Sequence, residues 1–107
     1  MTKEIRYHKE VLLFFDELFD ILIDKGYFSF YETSEKYLED LIRFIEENLE
    51  IYPHKSAPDY FCKYGNNLHY IKYERNQQTT WYIFFEKGID FYFIRHITNN
   101  HVVGKYP

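Results

Sequence analysis

The sequence predicts an α+β fold in which two N-terminal helices, paired as a hairpin, pack on an antiparallel β-sheet. Three observations lead there. Apolar residues fall at helical spacing in two stretches before residue 50. After residue 67 the chain turns to runs rich in Tyr, Phe, Ile, Thr and Trp, the composition of strands. Pro, Gly and Asn clusters separate these stretches. The length of 107 residues suits one domain, 1–107, and leaves little room for a second core.

Lys3 to Tyr7 reads as a short opening strand. From about Lys9 to Lys25, Val11, Leu12, Phe15, Leu18, Phe19, Leu22 and Ile23 share one helical face, and Asp16, Glu17, Asp20 and Asp24 fill the other. Gly26 is the expected stop, because glycine accepts the left-handed conformation at a helix C-terminus. Ser29 and Glu32 have capping-box spacing and open a second helix to about Leu49. Its stripe is Leu38, Leu41, Ile42, Ile45 and Leu49. Pro53 to Pro58 reads as a loop, and Gly65-Asn66-Asn67 as a turn. Leu68–Arg75, Thr79–Glu86 and Ile89–Thr98 then form a three-stranded meander, with Gly88 supplying a positive φ at the second hairpin. A helical hairpin needs a surface to cover and a meander needs one face covered, so each supplies what the other lacks.

The net charge of −4 conceals an asymmetry. Residues 1–50 hold six basic and thirteen acidic side chains, and residues 51–107 hold seven and four. Such a split fits an acidic scaffold half and a half that meets an anionic partner, or simply the tolerance of helices for surface glutamate. Cys62 is the single cysteine, so a disulfide framework is excluded, and it reads as a half-buried reduced thiol. The first residues are too charged for a signal peptide, and the longest apolar run, Val11 to Phe15, is far short of a membrane span. A cytoplasmic location and no membrane partner are expected.

The order of strand, helical hairpin, proline-containing loop and meander resembles the RelE/ParE toxin superfamily. Three segments carry the likeness: Lys25-Gly26-Tyr27-Phe28-Ser29 at the helix junction, Thr80-Trp81-Tyr82-Ile83-Phe84-Phe85 in the middle strand, and Asp90 to His101 at the last strand and its turn. The likeness spans roughly residues 3–101. It implies the toxin of a type II toxin–antitoxin pair, neutralised by a cognate antitoxin and needing no cofactor. ParE-like members are associated with inhibition of DNA gyrase, RelE-like members cut mRNA at the ribosome, and some members have no clear activity. The antitoxin is expected to bring a helical or extended segment to the exposed sheet face or to the groove beside the hairpin.

Metal-independent RNA cleavage needs a group to take the 2′-hydroxyl proton, a group to protonate the leaving oxygen, and cations for the phosphate. The candidates here are Arg95, His101 and Lys72, with His96, Arg75 and Tyr106 nearby in the chain. Strict alternation puts Arg95 and His96 on opposite faces, so without a bulge they cannot share one cleft, and one of the pair is expected under the helices or at their rim. His54 and His69 read as surface or sheet residues, and Trp81, Phe84 and Phe85 as core rather than a base-stacking platform. The spacing of His96 and His101 lacks a third metal ligand. RNase members usually carry an Arg- or Lys-rich turn after the last strand and are basic, whereas this chain has Thr98-Asn99-Asn100-His101 and is acidic. Both features favour ParE-like behaviour over RelE-like cleavage.

Overall fold

The computed structural model describes residues 3–24, 31–75, 77 and 79–100, with side chains outside 19–24 and 31–34. Along these residues run β1 (Glu4–Tyr7), α1 (Lys9–Asp24), α2 (Tyr31–Asn48), β2 (Lys55–Ser56), β3 (His69–Glu74), β4 (Thr80–Lys87) and β5 (Phe91–Asn99). A 3-10 segment, Asp59–Tyr64, lies between β2 and β3. The α+β class therefore holds. Gly26 and the proposed capping box begin outside the described residues.

α1 starts where it does because His8 caps it. The His8 carbonyl accepts the Val11 and Leu12 amides, and its Nδ1 accepts the Glu10 amide at 3.1 Å. Val11, Phe15 and Leu18 are buried, but Leu12 is 51% exposed and lies off the stripe. On α2 Leu41, Ile45 and Leu49 are almost fully buried, and Tyr37 joins them. These residues pack against Ile71, Trp81, Ile83, Phe85, Tyr92, Ile94 and Ile97, which form one face of the sheet.

The sheet itself differs from the expected all-antiparallel meander. It has five strands in the order β1-β5-β4-β3-β2 and is mixed. β3, β4 and β5 pair antiparallel as expected, but β1 pairs parallel with β5, Glu4 beside Phe91 and Tyr7 beside Ile94. The long excursion between β1 and β5 allows parallel pairing, which a two-residue hairpin would forbid. The continuous apolar run Phe91-Tyr92-Phe93-Ile94 suits a strand paired on both sides.

The loop after Pro53 also holds more structure than expected. Lys55 and Ser56 add a short outer strand to β3. The 3-10 segment then crosses the sheet face opposite the helices, where Phe61 and Leu68 bury Phe84 in a second cluster. Gly88 does not take the left-handed φ expected; a Cβ there would sit 2.3 Å from the Phe91 ring, which would have to move aside. Asn67, at φ 50°, is the described non-glycine residue with a left-handed backbone. Cys62 is exposed rather than half-buried. Among the described residues, no helix is long and apolar enough to cross a membrane.

Candidate functional site

The site begins with an irregularity in β5. Phe84 of β4 pairs with His96, but the next residue, Phe85, pairs with Ile94. Arg95 is the extra residue, so β5 carries a bulge at that point. Alternation is broken there, and Arg95 and His96 come to the same face, the one opposite the helices. His96 packs against Phe61 and Phe84, and Arg95 lies 5.3 Å over the Phe93 ring. The bulge overturns the expectation that one of the pair lies under the helices or at their rim, because the extra residue resets the alternation.

Beyond Tyr7, β1 no longer flanks β5, and α1 passes beside the uncovered edge. A cleft of about 230 Å³ opens there, with Glu10, Tyr64, Arg95 and His96 among its lining residues. Glu10 and Tyr64 were not legible as site residues. Glu10 is one of many helix glutamates, and Tyr64 arrives through a 3-10 segment with no strong sequence signal. The cleft thus gathers an acid, a phenol, a guanidinium and an imidazole.

The state of these groups limits their chemistry. The Arg95 Nη1 donates to Glu86 Oε1 at 3.3 Å, and the other Glu86 oxygen accepts the Asn66 amide at 3.0 Å. The cation is therefore held by a carboxylate that also ties down the turn before β3. Glu86 was missed in the sequence, although it is the single acid in β4 and stands two residues from Phe84 on the same face. The His96 ring stacks on Tyr64 with centroids 3.8 Å apart, and its Nε2 is buried with no hydrogen-bond partner. Burial, with Lys63 adding to it, pushes its pKa down to about 4. At neutral pH His96 is an uncharged, largely enclosed ring, poorly matched to a general base that should titrate near the working pH.

Lys72 is not brought to this cleft. It stands opposite Tyr82 on the far side of β4 and lines a different groove with Tyr52 and Pro53. Arg75 turns to the helix side, where it donates to Asp40 at 3.1 Å and to the Tyr73 hydroxyl at 3.1 Å and stacks on Tyr37. His101 and Tyr106 lie outside the described residues. His54 is half-buried: its Nε2 lies 2.6 Å from the Leu49 carbonyl and its ring packs edge-on against Phe85. His69 sits in β3. Trp81, Phe84 and Phe85 are core, Phe84 on the face away from the helices. Among the described residues, no three His, Cys, Asp or Glu side chains cluster as metal ligands would. No protein-family model, curated protein or solved structure matches this chain.

Proposed function

We propose that this chain is the toxin of a type II toxin–antitoxin pair, ParE-like in acting by binding an essential target and held inactive by a cognate antitoxin. DNA gyrase is the candidate target that the resemblance suggests. The observation that carries this reading is the ion pair between Arg95 and Glu86. A nuclease would need that guanidinium for phosphate, and here a carboxylate already holds it. The partly exposed sheet face around Phe91, Phe93 and Arg95 offers the antitoxin both apolar rings and charge.

One observation favours a second reading, a ribosome-dependent endoribonuclease of RelE type. The β5 bulge gathers Arg95, His96, Tyr64 and Glu10 at one cleft. In that reading substrate phosphate displaces Glu86 from Arg95, and His101 supplies the proton transfer.

Inducing the chain in a bacterial culture, alone and with the adjacent gene, tests both. Growth arrest relieved by the neighbour supports a toxin, and altered DNA supercoiling with intact RNA selects the ParE-like branch. Cleaved mRNA selects the nuclease, and Arg95→Ala or His101→Ala should then abolish cleavage. Well-folded protein without arrest overturns toxicity and leaves a partner-binding module of the same fold.

A further inference from the structure

The outer edge of β3 is half covered. Ala57 donates to the Leu68 carbonyl at 2.9 Å, and Lys55 pairs with Tyr70. The even-numbered residues of β3 therefore turn their backbone N–H and C=O groups toward β2. Continuing that register would put Pro53 opposite Lys72. Proline has no N–H to give, and the chain leaves at His54, whose ring turns under the sheet. Lys72 and Glu74 are left as an open edge, with no backbone partner among the described residues. A groove of about 600 Å³ runs along it, walled by Phe44, Tyr52 and Pro53. Tyr52 in its wall is 40% exposed, and Asn48 and Lys55 add polar groups to the lining.

This edge is complementary to itself. Place a second strand antiparallel beside β3 with a two-fold axis at Tyr73. Lys72 then faces Glu74 of the second copy, and Glu74 faces its Lys72. Both are edge-facing residues, so each such pair also exchanges backbone hydrogen bonds, as a closely bonded antiparallel pair requires. Opposite charges directly across strands are attractive, and neither side chain has an ion-pair partner among the described residues. Tyr73, at the axis, is held flat by stacking on Phe44 with centroids 4.2 Å apart. Isologous pairing of this kind closes after two copies, because each copy's β3 edge is used by its partner's.

We propose that the chain self-associates as a two-fold dimer through the β3 edge, with Lys72 and Glu74 forming two symmetry-related cross-strand pairs. The edge is short, so the dimer is a weak one.

Sedimentation equilibrium of the full chain tests this, alongside Lys72→Glu, Glu74→Lys and the double variant. The unaltered chain should dimerise as concentration rises. Each single swap turns two attractive pairs into two repulsive ones and should weaken dimerisation at least about tenfold. The double swap reverses both pairs and should restore it. Hydrogen exchange gives a second readout: the Lys72 and Glu74 amides should become protected with concentration, and the Ile71 amide, which faces β4, should not change. A monomer at the highest soluble concentration overturns the proposal and leaves the edge to a strand from another protein. A dimer that the swaps do not affect, or that leaves both edge amides unprotected, overturns it equally.

Discussion

The imidazole of His96 lies almost parallel to the Tyr64 ring, at 7° and 3.8 Å between centroids. Phe61 and Phe84 enclose it further. The charged groups acting on it are Lys63 and Glu10, and the net effect of burial and Lys63 is a pKa of about 4. That lies below the value of about 6.5 for an unfolded histidine. Folding therefore favours the neutral ring, and the unfolded chain binds more protons between the two values. This contribution is fully present above about pH 6.5 and is lost as pH falls toward 4, by at most about 3 kcal/mol. His96→Phe keeps a ring in the stack and removes the titration. Urea unfolding should show the variant losing less stability than the parent between pH 7 and 4.5. Parallel losses in both proteins would remove His96 as the source.

Arg95 and Glu86 hold each other across the bulge, and Glu86 also accepts the Asn66 amide. Both side chains are about a quarter exposed, so solvent screens the pair only in part. Glu86→Ala should cost about 0.5–1.5 kcal/mol, because it frees a half-buried cation and removes the acceptor of the exposed Asn66 amide, which water then satisfies. Arg95→Ala should cost less, since Glu86 keeps that backbone donor. A double-mutant cycle by chemical denaturation should give a coupling of about 1 kcal/mol. A coupling indistinguishable from zero would mean that Arg95 is free to bind phosphate, which favours the nuclease reading.

These two pairs also show where the sequence was readable. The helices and the strands β3 to β5 were legible because each is long, periodic and bounded by Pro, Gly or Asn. Leu41, Ile45, Trp81 and Phe85 were legible as core for the same reason. The parallel partner of β5 was not, because four residues of alternating pattern do not state a direction. The bulge at Arg95 was not legible, and strict alternation misplaced one of the Arg95/His96 pair, because the bulge depends on pairing with β4 and not on β5 alone. Glu10, Tyr64 and Glu86 acquire their roles from elements far away in the chain, and local pattern carries no trace of that.

Asp40 collects Arg75 at 3.1 Å, Lys36 at 3.4 Å and Arg43 at 3.7 Å. The Arg75 hydrogen bond is the main reason that its carboxyl titrates below the ordinary range. A depressed carboxylate pKa means stability present above the unfolded value and lost as pH falls through the folded one. Asp40→Asn should therefore be less stable than the parent at pH 7, with the gap closing in acid. The measurement is a series of thermal melts from pH 7 to pH 3. A gap that stays constant with pH would assign the loss to packing instead.

The Trp81 indole is buried, and its Nε1 donates to the Tyr37 hydroxyl at 2.8 Å. The bond ties the middle strand to α2 across the core. Arg75 stacks on the Tyr37 ring at 4.4 Å, and Tyr37 as a whole is buried. Tyr37→Phe leaves that ring, the Arg75 stack and the edge contact with Trp81 in place, and removes the hydroxyl that accepts from the indole. The indole N–H then stays buried without a partner, at a cost of about 1–3 kcal/mol. Tyr52→Phe, at a ring 40% exposed, is the matched control and should change stability by less than about 0.5 kcal/mol. Trp81 is the only tryptophan, so its fluorescence reports unfolding and the polarity at this bond together. A Tyr37→Phe variant as stable as the control would mean that the indole finds another acceptor, and that α2 is held to the sheet by apolar packing alone.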